Sequence, residues 1–238
     1  MGEFRWGSFD YLGEAEWPQR CGNFGIIDIC GFPKDHYYLY QSLWSDKPMV
    51  HLLPHWTHTG KEGVVIPVVV YTNCQSAELF LNGNSLGKKH YVGEQLVWQV
   101  PYQAGELKVI AYNNNQIAAE KVFKSTGKPS TFTVTTDKKS IRSNQKDIIH
   151  VEIDIADKDG NFCPLASDLI KVEVTGAAKL LAMDNGDPIE LSRYQINSKK
   201  AFRGKCLLIL QATDKKGTIN VTLQSSGLQS KSISFVSN

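Results

Sequence analysis

Near the start of the chain three carboxylates and one indole stand close together: Glu3, Trp6, Asp10 and Glu14. A carboxyl can serve as a general acid or base when its surroundings shift its pKa, but isolated loop acids far outnumber tuned ones. By position alone these acids read as solvated or hydrogen-bonded loop groups, and Trp6 as a packing residue. A second candidate is His51, His55 and His58. Their spacing would suit metal ligation on a helix, but Pro54 breaks any regular helix through the middle. On a strand His51 and His55 share a face and His58 does not, so packing of an aromatic-rich strand end is the expectation. Asp157-Lys158-Asp159-Gly160-Asn161 has the look of a calcium loop but lacks the later bidentate glutamate, which leaves a hairpin turn. No phosphate-cradling Gly-x-x-x-x-Gly-Lys loop and no Gly-x-Ser-x-Gly elbow occurs, so nothing points to a nucleotide or an acyl-enzyme. The five cysteines, Cys21, Cys30, Cys74, Cys163 and Cys206, form no Cys-x-x-Cys pair and read as small buried residues.

The elements that would carry these residues differ along the chain. Up to about residue 45, Gly, aromatic and acidic residues crowd together without a sustained period. Phe4 to Trp6 reads as a strand end, followed by a wide loop. Pro33 suits the first turn of a helix running to Trp44, with Tyr37, Tyr40 and Trp44 on one face. This stretch holds too little apolar surface to be a domain. From residue 46 to 127 short strands follow one another. Val64 to Thr72 carries the continuous Val/Ile run of a strand covered on both faces. Asn82-Gly83 and Asn113-Asn114-Asn115-Gln116 supply hairpin turns. Leu96-Val97-Trp98-Gln99-Val100 alternates, which places Trp98 inward. Ser125-Thr126-Gly127-Lys128-Pro129-Ser130 reads as a boundary, and residues 128–238 repeat the strand pattern. Two tandem antiparallel sandwiches are the expectation.

Composition narrows the function classes. With 42% hydrophobic and 21% charged residues and a net charge of +2, the 238 residues are ordinary for a globular protein. No basic stripe emerges, which argues against nucleic acid, and no apolar run is long enough to cross a bilayer. Met1-Gly2-Glu3 shows neither the basic nor the apolar region of an export signal.

Read together, the segments resemble a known family. Glu3-Phe4-Arg5-Trp6-Gly7-Ser8-Phe9-Asp10-Tyr11-Leu12-Gly13-Glu14 is similar to the last barrel strand and following loop of glycoside hydrolase family 2 enzymes of the β-galactosidase type. Phe24-Gly25-Ile26-Ile27-Asp28, Gly31-Phe32-Pro33-Lys34-Asp35 and Tyr37-Tyr38-Leu39-Tyr40-Gln41-Ser42 resemble the run that closes their barrel. His51 to Trp56, Tyr71 to Cys74 and Glu78 to Gly87 resemble the immunoglobulin-like domain that follows. Asp184-Asn185-Gly186-Asp187-Pro188 and Lys200-Ala201-Phe202-Arg203-Gly204 resemble the terminal sandwich.

The resemblance implies a mainly-β fold: the last strand, loop and helix of a (β/α)8 barrel at residues 1–45, an immunoglobulin-like sandwich at 46–127, and a second, invasin- or intimin-like sandwich at 128–238. It implies a C-terminal portion of a β-galactosidase-like, retaining glycosidase whose partners are a carbohydrate substrate and the missing barrel and sandwich domains. No cofactor and no metal is implied. The catalytic glutamates belong to earlier barrel strands. The tryptophan of the matching strand end lies under the reacting sugar, so Trp6 is the expected substrate-binding residue, with Arg5 and Asp10 supporting the loop. This chain has Trp6-Gly7-Ser8-Phe9-Asp10-Tyr11 where the family more often has Trp-Thr-Gly-Phe-Asp-Tyr, which touches the loop and not the tryptophan. Extracellular glycan substrates would put the parent in the periplasm or outside the cell. The alternative is a stand-alone carbohydrate-binding or adhesive sandwich module, for which a barrel-closing segment has no use.

Overall fold

The computed structural model describes every residue except 1–3 and 5. The described residues are mainly strand, with one helix among them. They divide into two units, the first comprising residues up to Phe9 together with Phe24–Ser125, the second Asp10–Asn23 together with Thr126–Asn238. The chain therefore enters the second unit for fourteen residues before it builds the first sandwich.

That excursion holds β1 (Tyr11–Leu12) and β2 (Cys21–Gly22), which pair antiparallel. Phe4 and Trp6 lie outside any strand, which departs from the strand end expected there, while Phe9 makes a parallel bridge to Ile27. A strand exists only where a neighbour takes its hydrogen bonds, and the bridge to Ile27 supplies one only at Phe9. Helix α1 spans Asp35–Trp44. Pro33 stands just before its cap, not in its first turn, because the Lys34 N–H is spent on the Ile26 carbonyl and Lys34 stays extended. The packed face also differs from the expected one. Tyr38 stacks on His51 at 3.8 Å, and Ser42 is buried, whereas Trp44 is exposed beside Tyr40.

The first sandwich contains β3 (Val50–Leu53), β4 (Val65–Thr72), β5 (Ser76–Leu81), β6 (Asn84–His90), β7 (Leu96–Pro101), β8 (Glu106–Asn113) and β9 (Gln116–Lys124). One sheet has the order β3-β4-β7, the other β6-β5-β8-β9. Leu52, Val68, Val70, Trp98 and Val100 from the first sheet meet Ala77, Leu79, Leu107, Val109 and Ala111 from the second in one apolar core. The Val/Ile run of β4 is covered on both faces only toward Tyr71 and Thr72. Val65 and Pro67 are exposed, because α1 reaches only the far end of that face. The Asn82-Gly83 turn has positive φ at both residues, as a two-residue hairpin requires. Asn82 also accepts from the Glu106 N–H and donates to the Ala104 carbonyl, and a Cβ on Gly105 would fall 1.9 Å from its Oδ1. Asn73 staples the segment after the helix, accepting from the Met49 N–H and donating to the Ser45 and Lys47 carbonyls.

The second unit adds β10 (Thr131–Thr136), β11 (Ser140–Ile141), β12 (Ile148–Ala156), β13 (Leu169–Gly176), β14 (Ala178–Asp184), β15 (Ser198–Lys200), β16 (Lys205–Ala212), β17 (Gly217–Gln224) and β18 (Lys231–Ser237). Its sheets run β10-β12-β16-β14 and β11-β18-β17-β13-β15. Alternation in β12 buries Ile149, Val151, Ile153 and Ile155 against Ile170, Val172, Ile219 and Val221 of the facing sheet.

The excursion is fastened to this sandwich by Arg20. Its guanidinium donates to both oxygens of Asp184 at 2.9 and 3.0 Å, to the Tyr194 hydroxyl at 2.8 Å and to the Asp187 carbonyl at 3.1 Å. The Arg20 N–H donates to the Pro188 carbonyl at 2.7 Å. Lys199, whose side chain is wholly buried, brings a second cation to 3.5 Å from Asp184. Burial opposes the charge on Arg20, but Asp184 outweighs it and holds the guanidinium pKa above its ordinary value.

Two stability measurements follow. Trp98 is 5% exposed, and its indole N–H donates to the Gly87 carbonyl. Trp98→Ala is expected to cost about 3–5 kcal/mol in a denaturant titration, and a loss under about 1 kcal/mol would contradict its place in the core. Asp184→Asn leaves Arg20 and Lys199 without their counter-charge. It is expected to cost about 3–5 kcal/mol, as breaking one side of a buried pair does. An unchanged midpoint would contradict this.

Candidate functional site

The segment around Trp6 is held by a small backbone scaffold in the first unit. The Ser8 carbonyl accepts from the Ile26 and Ile27 N–H groups, each at 3.0 Å. Ile27 bridges both Phe9 and Pro33. Asp28 Oδ1 accepts from the Cys30 and Phe32 N–H groups at 2.9 Å, closing a turn that passes through Gly31 at φ +89°. Gly-rich runs with one acid are suited to this, since the carboxylate replaces backbone acceptors and glycine takes the left-handed position. The family-like pattern at Phe24 to Asp35 is thus a brace. Its Asp28 role was not apparent from sequence, although a carboxylate that accepts from the N–H two residues on is the Asx-turn pattern.

Trp6 itself is 84% exposed. An exposed indole offers a flat apolar face with one N–H donor, a surface that suits the C–H face of a sugar ring. Asp10 is buried, and it opens the excursion that belongs with the second unit, whereas Trp6 belongs to the first. Arg5 and Glu3 lie outside the described residues. Glu14 sits at φ +46° and accepts a hydrogen bond from the Tyr11 hydroxyl.

The histidines go to structural places. His51 Nε2 lies 2.9 Å from Asp35 Oδ1, and the ring is sandwiched between Tyr38 and Tyr71. His55 and His58 stack on each other with centroids 4.7 Å apart. Burial pushes the His58 imidazole pKa down. Next to them Trp56 is fully buried and donates to the Gln103 carbonyl, and the Tyr102 hydroxyl accepts from the His58 N–H. Among the described residues no cluster of three or more His, Cys, Asp or Glu is placed to hold a metal ion.

Asp157 and Cys206 are engaged in the second unit. Burial raises the Asp157 pKa, but the Gly127, Asp159 and Asn161 N–H groups that donate to its carboxylate outweigh this and hold it below its ordinary value. The Asp157–Asn161 stretch is thus a turn that also ties down the linker at Gly127, a role its calcium-loop look conceals. Among the described residues the cysteines form no disulfide, and burial pushes the Cys206 thiol up to about 12. Its Sγ lies 3.2 Å from the Asp184 carbonyl.

Comparison with known proteins agrees in direction. Residues 132–234 match the family model "Glycoside hydrolase family 2 C-terminal domain 5", and residues 63–119 match a domain of unknown function, DUF4982. The chain is 40% identical over 233 residues to the beta-galactosidase BoGH2A of Bacteroides ovatus, covering 96% of this chain and 27% of that protein. A solved beta-glycosidase from Bacteroides vulgatus is 52% identical with a TM-score of 0.97, over 99% of this chain and 30% of that one. A solved glycosyl hydrolase family 2 member from Bacteroides cellulosilyticus is 29% identical with a TM-score of 0.92, over 98% of this chain and 35% of that one. The chain spans about a third or less of the length of these relatives. Residues 132–234 thus carry a glycoside hydrolase family 2 C-terminal domain 5, and the chain as a whole is similar to part of that family's enzymes.

Proposed function

We propose that this chain is the C-terminal portion of a β-galactosidase-like glycosidase that hydrolyses O-glycosidic bonds with retention. In this reading residues 1–45 end the catalytic barrel, residues 46–127 and 128–238 are bracing sandwiches, and Trp6 lies under the reacting sugar. The observation that carries the reading is the braced segment around Trp6, in a chain that aligns almost end to end with part of a beta-galactosidase.

The chemistry divides between parts of the parent. A retaining glycosidase needs two carboxyl groups about 5 Å apart, one on each side of the scissile bond. In this reading they stand on earlier barrel strands. What this portion contributes is position. Barrel sites lie at the C-terminal ends of the strands, where an indole can stack on the apolar face of a sugar. Small displacements of the sugar from the carboxylates cost rate heavily. A stand-alone binding module has no use for the brace formed by Ser8, Ile26, Ile27 and Asp28.

The test is kinetic. In the full-length parent, Trp6→Ala is expected to lower kcat/KM by at least about tenfold, or roughly 1.4 kcal/mol of transition-state binding, with an unchanged melting curve. Wild-type kcat/KM in that variant would remove Trp6 from the site. The 238-residue chain alone is expected to turn over no aryl β-galactoside, and turnover by it would overturn the division of labour.

A further inference from the structure

We infer that His58 is a pH-sensitive latch on one end of the first sandwich: the neutral ring holds the Trp56–Tyr102–Ser125 cluster closed, and the protonated ring lets it open. The inference lies within the first unit and is independent of the glycosidase reading.

Three stretches of chain meet at this end: the segment from Pro54 to Gly63, the residues after β7 and the residue after β9. One run of hydrogen bonds joins them. The His58 N–H donates to the Tyr102 hydroxyl at 3.2 Å, that hydroxyl meets Ser125 Oγ at 3.2 Å, and Ser125 Oγ donates to the Trp56 carbonyl. Ser125 Oγ also accepts from the Gly105 N–H at 3.1 Å, and the Ser125 N–H returns to the Gly105 carbonyl at 2.8 Å. Trp56 and Tyr102 are buried, and the His58 ring stands edge to face with both, with centroids 5.9 and 5.4 Å away. In a close-packed end, a shift of this ring disturbs two core aromatics and the Ser125 bonds together.

The ring has no place for a second hydrogen. Nε2 is buried and makes no hydrogen bond. The His55 carbonyl favours a proton on the ring, so the neutral imidazole keeps its hydrogen on Nδ1. A proton added to Nε2 becomes a buried donor without an acceptor, which is costly. The groups around the ring supply no counter-charge. His55 stacks on it at 4.7 Å, Trp56 and Tyr102 present aromatic rings, and Lys61 acts on it with the same sign. Burial, with Lys61 adding to it, outweighs the His55 carbonyl and holds the imidazole pKa below its ordinary value. Once the end opens to water, the ring takes its proton at the ordinary value. The closed cluster therefore has its full stability above about pH 6.5, and loses it as pH falls through that value toward the lower pKa of the closed form.

The test is made by NMR on the 238-residue chain. The His58 ring protons are expected to titrate below about pH 6.5. Between about pH 7.5 and about pH 5.5, the opening equilibrium read from amide exchange at His58, Gly105 and Ser125 is expected to rise at least about threefold, with the amides of β4 and β8 changing less. His58→Phe keeps a ring against Trp56 and Tyr102 and takes no proton, and it is expected to abolish that rise. A titration at or above about pH 6.5 would show that the aromatic faces hold the proton, and would overturn the latch. An equal rise in β4 and β8, which is global unfolding, would overturn it too, as would a wild-type rise in His58→Phe. The wild-type titration and exchange decide the matter even where the variant does not fold.

Discussion

One carboxylate organises the second unit. Asp184 ends β14, on the sheet β10-β12-β16-β14, and two buried cations converge on it from different parts of the chain. Taking three charges out of water is costly, and the cost is met only where geometry is good and the remaining lone pairs are occupied. Here the Asp184 oxygens receive the Arg20 fork, the Asn185 N–H and the field of Lys199. A segment that is remote in sequence, Asp10–Asn23, thereby folds as part of the last domain.

The two sandwiches solve the same problem with different means. Each has a continuous apolar core between two sheets. The first closes one end with aromatic residues, Trp56, His58 and Tyr102: the Trp56 indole N–H reaches the Gln103 carbonyl and the Tyr102 hydroxyl reaches Ser125, while His58 Nε2 is buried without a hydrogen-bond partner among the described residues. The second closes its linker with a carboxylate, Asp157, that gathers three backbone N–H groups. Each device satisfies polar groups that burial would otherwise leave costly, the second more completely than the first.

Much of this was legible in the residues. The alternation around Trp98, the run of β12 and the helix ending at Trp44 follow from period and turn chemistry, which act over a few residues. What escaped depends on distance along the chain. Nothing in Trp17-Pro18-Gln19-Arg20 announces a partner at Asp184, because an ion pair leaves no periodic trace. The short β11 and β15 have too few residues to show a period, and exist because β18 and β13 offer them an edge. The exposed half of β4 read as buried because Val and Ile are chosen for the pleat as much as for the core. The proposed site rests on one residue, Trp6, which was named through resemblance and not through spacing. The Asp28 turn and the Arg20 contacts emerged only from the fold.

The central claim is that Trp6 forms the floor of a sugar site completed by the rest of the enzyme. A crystal structure of the full-length protein with a galactose-configured inhibitor bound in its barrel tests it directly. The account expects the apolar face of the sugar ring to lie parallel to the Trp6 indole, with carbon–carbon contacts of about 3.5–4.0 Å. A sugar bound in that barrel with Trp6 turned away and out of contact would contradict it.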